Sequence, residues 1–134
     1  MKPITNEQQL FDYLKENKLP DLVMAKDKFS RWDCYSPDTK VRAELKCRSK
    51  DFDAYIIEKD KYEILIRKCS DNGDIPVYIN SSPKGVYYWV LDKLPEPKWL
   101  ELPLPVTSQF ADNRKVTKTV GFLSVQNATV VVRY

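Results

Sequence analysis

The chain of 134 residues contains no histidine. Because imidazole supplies the base of Ser-His-Asp and Cys-His pairs, both kinds of site are excluded, and so is a histidine-ligated metal. Its three glycines are scattered singly, which excludes a P-loop and a glycine-rich dinucleotide turn. Chemistry must therefore depend on carboxylates, lysines, thiols or tyrosines, and the compatible metal is a hard, oxygen-bound cation such as Mg²⁺.

Cysteines and long apolar runs are also scarce. Cys34, Cys47 and Cys69 are odd in number and lack C-x-x-C spacing, which is typical of reduced thiols and not of a disulfide framework or a zinc site. No run approaches the roughly 18 apolar residues of a membrane span. Residues 1–7 lack the apolar core of a signal peptide. We therefore expect a cytoplasmic protein without a membrane partner.

The composition indicates a folded protein. Hydrophobic residues make up 43% of the chain and charged residues 31%, which excludes wholesale disorder. The length predicts a single domain over 1–134. The net charge of +3 is too small to indicate a nucleic-acid partner by itself.

Hydrophobic periodicity and turn residues predict the order of the elements. Helix, hairpin, helix, hairpin is the order expected of an α/β domain with a mixed central β-sheet flanked by helices. Thr5 and Gln8 form the predicted capping box of the first helix. The predicted elements are helices over 6–16 and 53–69, hairpins over 29–48 and 75–91, a Pro-rich extended arm after residue 91, and C-terminal strands over 116–123 and 128–133.

The strand predicted after the first turn carries charges on one face. Apolar and charged residues alternate from Val41 to Arg48, so Glu44 and Lys46 emerge on the same side. A metal-dependent phosphodiesterase needs this pair, because the carboxylate holds Mg²⁺ and the lysine stabilises the attacking hydroxide or the phosphate charge.

The hairpin predicts a second carboxylate at the same place. A turn centred on Pro37-Asp38, closed by Ser36 and Thr39, puts Asp33 opposite Arg42 and diagonal to Glu44 on one face. An odd loop length would reverse that face. Asp38 is the alternative ligand, although it falls at the turn.

A helix, an Asp-bearing strand, a hairpin, a strand with Glu-x-Lys and a following helix resemble the PD-(D/E)xK nuclease superfamily, which includes Holliday-junction resolvases and small phage nucleases. The resemblance covers residues 5–91 and implies a restriction-endonuclease-like core, whereas residues 92–134 have no counterpart. It implies that Asp33 and Glu44 bind Mg²⁺, or Mn²⁺ as the alternative ion, and that Lys46 is the catalytic lysine. A further residue from the next helix is also implied, and Lys59 with Tyr55 or Tyr62 fits that place.

The expected function is a metal-dependent endonuclease, of phage or mobile-element type, that hydrolyses phosphodiester bonds in branched or duplex DNA. The residues expected to contact nucleic acid are Arg48, Tyr55, Lys59, Arg114, Lys115 and Lys118.

Three alternatives remain open at this point. The charged face is also what any half-exposed hairpin presents to solvent. A second alternative is a non-catalytic nucleic-acid-binding or interaction protein on a nuclease-like scaffold, such as an adaptor or an antagonist of a host defence system. A third is a single-strand binder that stacks bases on Tyr87, Tyr88 and Trp89. DNA or RNA as the substrate, and monomer or homodimer as the assembly, are likewise open.

Overall fold

The computed structural model describes residues 1–25, 32–105 and 114–134. Over these residues the chain has a mixed α/β fold dominated by strands. Its elements are α1 (Glu7–Asn17), β1 (Val23–Met24), β2 (Asp33–Ser36), β3 (Val41–Cys47), β4 (Ala54–Glu58), α2 (Lys59–Asn72), β5 (Ile75–Ser82), β6 (Gly85–Val90), β7 (Leu100–Pro105), β8 (Lys115–Ser124) and β9 (Thr129–Arg133), with short 3₁₀ turns at Leu91–Lys93 and Val125–Asn127.

The strands form two sheets. The larger has the order β1-β2-β3-β5-β6-β9, and its β3–β5 pair is parallel while its other pairs are antiparallel. The smaller is antiparallel with the order β4-β8-β7. The predicted α/β class with a mixed sheet is therefore confirmed.

Apolar residues cover both faces of the larger sheet. On one face, Leu10 and Leu14 of α1 pack with Ala43, Leu45 and other residues of the sheet. On the other face, β4, α2 and β8 contribute buried side chains that pack with the aromatic residues Tyr78, Tyr87 and Trp89. The charged side of β3 is on this second face, because Glu44 alternates with the buried Ala43 and Leu45.

The N-cap of the first helix lies one residue later than predicted. Asn6, not Thr5, is the N-cap, and its side chain accepts a hydrogen bond from the Gln9 backbone N–H at 2.9 Å. Gln9, not Gln8, reaches back and accepts from the Thr5 backbone N–H at 3.1 Å. The predicted Thr5–Gln8 box is therefore wrong by one residue, because the neighbouring Asn6 is a stronger N-cap than threonine.

The helix predicted over 53–69 is wrong in its first part. Residues Ala54–Glu58 form β4, which pairs with β8, and α2 follows over Lys59–Asn72. Tyr55 and Ile57 are buried while their neighbours are partly exposed, a period of two that tertiary pairing stabilises. Gly73, at φ 70°, ends α2, as the sequence predicts.

The later elements agree with the sequence predictions, with boundaries that differ by one residue. The second hairpin is present as β5 and β6, and Ser82 lies opposite Gly85 across Pro83-Lys84. The two C-terminal strands are confirmed as β8 and β9. Part of the arm is a true strand, β7, which pairs along β8. Residues 29–31 of the first predicted hairpin and 106–113 of the arm lie outside the described residues.

Candidate functional site

The register of the first hairpin places two carboxylates side by side. Asp33 pairs directly with Glu44, and Ser36 pairs with Val41 across a turn of four residues, 37–40. The predicted pairing of Asp33 with Arg42 is therefore wrong by two residues. Because a shift of two preserves the face, Asp33 and Glu44 still share one side of the sheet. Directly opposite residues are closer than diagonal ones, at roughly 4.5–5.5 Å between Cα atoms.

Contacts from a preceding loop hold the longer turn. The Asp21 carboxylate accepts hydrogen bonds from the Ser36 hydroxyl and the Asp38 backbone N–H, each at 2.7 Å. Lys40 closes the turn with φ 64° and donates its N–H to the Ser36 carbonyl at 2.9 Å. Asp38 is thus held in the turn, beyond the Ser36–Val41 pair, so Asp33 is the aspartate that lies beside Glu44.

Both carboxylates are buried. Asp33 is 6% exposed and Glu44 is 4% exposed, because β4 and α2 lie over this face of the larger sheet. The interpretation of these residues as the solvated face of a hairpin is therefore wrong. Burying a carboxylate costs free energy unless charges or hydrogen bonds compensate it. The groups around Asp33 and Glu44 therefore determine how well these two carboxylates are compensated.

Two lysines and a third carboxylate complete the cluster. The Lys61 Nζ lies 3.6 Å from Glu44 Oε1 and 3.5 Å from Glu58 Oε2. The Lys118 Nζ lies 3.1 Å from the other oxygen of Glu58, Oε1. Glu58 and Lys61 were not predicted as site residues, because the predicted helix over 53–69 contains both. Residues 54–58 are Ala-Tyr-Ile-Ile-Glu, and the aromatic and β-branched residues among them were the sequence signal for a strand that ends at Glu58.

The pKa values of these groups follow from their burial. Loss of hydration raises the pKa of Glu44 above its usual value, although Lys61 and Lys46 oppose the rise. Burial and the charge of Lys61 lower the pKa of Lys46. For Lys61, burial works in the lowering direction, but the carboxylates of Glu44 and Glu58 outweigh it and the pKa is raised. Such opposed shifts in a cleft are typical of functional sites.

A cavity of about 390 Å³ opens onto this cluster. Its polar lining includes Glu44, Lys46, Arg48, Glu58, Lys61 and Lys118. A second cavity, of about 450 Å³, lies on the opposite face of the sheet, and Lys18 is the single charged residue among the described residues that line it. The cavity at the cluster is therefore lined by many ionisable groups, whereas the cavity on the opposite face is almost wholly apolar.

The residues predicted to contact nucleic acid are not all at this cavity. Lys118 joins the cluster through Glu58, and Arg48 lines the cavity while donating to the Asn80 Oδ1, the Ile56 carbonyl and the Tyr78 hydroxyl at 3.2–3.4 Å. Lys59 is exposed and pairs with Glu63 at 3.6 Å. Arg114 and Lys115 are exposed at the start of β8.

Aromatic residues that sequence analysis singled out lie mainly in the core. Tyr55 is buried in β4, so it does not lie on the helix that carries Lys59 and Tyr62, contrary to the sequence prediction. Trp89 is fully buried and donates to the Ser124 carbonyl at 2.8 Å, and Tyr87 is also buried. The prediction that Tyr87 and Trp89 stack on single-stranded bases is therefore wrong. Tyr88 faces the other side of the sheet and is partly buried.

The donor set at the carboxylates fits Mg²⁺. Among the described residues, no group of three or more His, Cys, Asp and Glu side chains could hold a metal ion. Mg²⁺ commonly uses one or two protein carboxylates together with substrate phosphates, which matches the adjacent pair of Asp33 and Glu44. Burial raises the pKa of the Cys34 and Cys47 thiols to about 12 and that of Cys69 to about 11, which favours the protonated thiol at neutral pH.

No protein-family model, curated protein sequence or solved structure matches this chain. The resemblance to PD-(D/E)xK nucleases therefore stays an expectation from the sequence. Within the described part of the chain, neither helix is long and apolar enough to cross a membrane.

Proposed function

We propose that the protein is a metal-dependent endonuclease that hydrolyses DNA phosphodiester bonds, with a restriction-endonuclease-like core, acting in the cytoplasm. The observation that carries the proposal is the pairing of Asp33 with Glu44 on one buried face, with Lys46 two residues along the same strand. This is the set of residues by which the sequence resembles the PD-(D/E)xK superfamily.

Each residue has a role that its position supports. Asp33 and Glu44 hold the divalent cation, Mg²⁺ or Mn²⁺. When bound, this cation polarises the phosphate and lowers the pKa of a water molecule. Lys46 lines the same cavity and stabilises charge that develops on the phosphate. Burial strengthens this interaction, because charges attract more strongly where water is excluded. Arg48 and Lys118 line the cavity, and in this proposal they contact the DNA backbone.

Three substitutions test the proposal. Asp33→Asn and Glu44→Gln each remove one negative charge from the metal site, so both should abolish Mg²⁺ binding and cleavage. Lys46→Ala removes a cation, so metal affinity should hold or rise while the cleavage rate falls by about 10²–10³-fold, as for a lost transition-state donor. Calorimetry with Mg²⁺ or Mn²⁺, and nicking of branched, linear and single-stranded DNA with metal or EDTA, measure both effects.

Glu63→Gln is the matched control, because Glu63 is an exposed glutamate of α2 that pairs with Lys59 outside the cluster. It should bind metal and cleave DNA as the parent does. If the parent protein binds neither Mg²⁺ nor Mn²⁺, even with DNA present, the nuclease mechanism is wrong.

A second candidate is a non-catalytic nucleic-acid-binding or interaction protein on the same scaffold. The observation that favours it is the pairing of both Glu44 and Glu58 with Lys61, which compensates these carboxylates without a metal. DNA binding that weakens with salt, combined with no metal-dependent nicking under any condition above, would favour this candidate.

A further inference from the structure

Lys61 lies between carboxylates that come from two different sheets. Its ammonium is 3.6 Å from Glu44 on β3 and 3.5 Å from Glu58 on β4. The three residues also differ in exposure, since the Lys61 side chain is 35% exposed, that of Glu58 is 24% exposed and that of Glu44 is 6% exposed. The carboxylate of Glu44 is therefore fixed in the interior, whereas the lysine approaches it from the solvent side.

An ammonium in this position excludes a second cation. A divalent cation bound by Glu44 would stand within a few ångströms of the Lys61 charge, and like charges at that separation repel strongly in a partly buried site. Lysine has a long, flexible side chain that can keep its stem packed while its charged end moves into water. Glu44 lacks such freedom, so the lysine is the group that would move.

We propose that Lys61 is a tethered competitor for the divalent cation at Glu44. In the metal-free protein its ammonium compensates the buried carboxylate, and metal binding displaces it toward solvent. Part of the binding free energy of the metal is then used to displace Lys61, which lowers the apparent affinity of the site. This inference rests on the proposed metal site and concerns how occupancy of that site is regulated.

The first test measures binding of Mn²⁺ alone by calorimetry. Lys61→Met keeps the length of the stem and removes the charge, so Mn²⁺ affinity should rise by about tenfold or more, within the usual range of coupling between two binding events. Lys59→Met is the matched control, because Lys59 lies two residues away on α2 and pairs with Glu63, outside the cluster. Its affinity should stay within about twofold of the parent, as expected for an exposed pair.

A second measurement uses the unaltered protein, because Lys61→Met also removes the ion pair to Glu58. Acetylation of lysines with a succinimidyl ester, followed by mass spectrometry, reports how accessible each ammonium is. Addition of Mn²⁺ should increase the modification rate of Lys61 several-fold and leave that of Lys59 unchanged.

The outcomes separate this inference from the proposed function. If the parent binds Mn²⁺ but Lys61→Met binds it no more tightly, or if Mn²⁺ leaves Lys61 equally or less reactive, Lys61 is not a competitor and the metal site stands. If neither the parent nor Lys61→Met binds Mn²⁺, both proposals fail. Binding by Lys61→Met together with weak binding by the parent supports both.

Discussion

Glu44 lies beside two lysines, yet its pKa is raised, because the loss of hydration in the interior outweighs their charges. A glutamate placed mainly to stabilise the fold would have its pKa lowered by its ionic partners, as Lys118 and Lys61 lower that of Glu58 against the effect of burial. The neighbouring carboxylate of Asp33 raises the pKa of Glu44 further. The ion pairs of Glu44 therefore do not outweigh its burial, in contrast to those of Glu58.

This environment predicts that Glu44→Gln stabilises the metal-free protein at neutral pH. The pKa of Glu44 in the folded protein is raised above its ordinary value of 4.5, which means that the folded protein disfavours the ionised form of this side chain. The contribution of Glu44 to the free energy of unfolding is greatest at pH values below its pKa in the unfolded chain. This contribution decreases as the pH rises through its pKa in the folded protein. Glutamine does not ionise, so the variant should melt at a higher temperature than the parent near about pH 7.5, and the difference should disappear toward about pH 4.

Thermal unfolding in EDTA, at a series of pH values, measures this difference. Glu63→Gln is the control and should show no comparable pH-dependent gain, because Glu63 is about half exposed. A lower melting temperature of Glu44→Gln at neutral pH would mean that the pair with Lys61 is a net stabilising interaction.

At the level of residues, alternation along one strand was enough to predict that Glu44 and Lys46 share a face. Predicting that Asp33 pairs with Glu44 requires the length of the turn between their strands. The residues of the turn do not reveal this length, because Asp21, outside the hairpin, holds the four-residue turn through hydrogen bonds. Because the predicted register was wrong by an even number of residues, the face predicted for Asp33 was still correct. Lys61 could not be predicted, because its contact with Glu44 depends on how α2 lies over the sheet.

At the level of elements, the Pro-rich arm is fixed by close packing on β8. A Cβ added at Gly121 would lie 2.5 Å from the Pro97 Cβ and 3.0 Å from the Trp99 ring. Trp99 in turn packs against Tyr62 of α2, with ring centroids 5.2 Å apart. The arm thus links β8 to the helix that carries Lys61.

Gly121→Ala should therefore destabilise the protein by about 1–3 kcal/mol, the usual range for overpacking. Displacement of Trp99 should also change the intrinsic fluorescence of the folded protein. Urea unfolding followed by fluorescence measures both quantities. Gly73→Ala is a useful comparison, because nothing lies within 4 Å of its added Cβ and the strain comes only from φ 70°.

For Gly73→Ala we expect a loss of about 1 kcal/mol, from the left-handed backbone alone, with unchanged native fluorescence. A Gly121→Ala variant as stable as the parent would show that the arm does not pack tightly on β8.

The element that sequence analysis mistook, β4, shows why local signals were insufficient. Residues 49–53 contain good N-cap candidates, and a helix does follow, but it starts only at Lys59. Residues 54–58 are a strand because β8, more than 50 residues later, supplies a partner. Pairing of this kind depends on the whole fold and not on local propensity.

At the level of the whole molecule, the site lies between layers and not on an open surface. The larger sheet supplies Asp33, Glu44 and Lys46, while β4, α2 and β8 supply Glu58, Lys61 and Lys118. A substrate must therefore enter a cavity of about 390 Å³ to approach the carboxylates of Glu44 and Glu58. Volumes of this order are typical of sites for small ligands and far below what a duplex would occupy.

This geometry predicts that unpaired DNA is cleaved faster than intact duplex. A phosphate of a single strand, or of a frayed branch point, can enter the cavity with its own nucleotide, whereas a duplex must first open at a cost of a few kcal/mol. One sequence presented as a single strand, as a branched junction and as a blunt duplex, with Mg²⁺ at fixed ionic strength, provides the comparison. The first two should be cut at least about tenfold faster than the duplex, since 1.4 kcal/mol corresponds to tenfold in rate. Asp33→Asn should cut none of the three, and equal parental rates on all three would show that the carboxylates are open to a duplex.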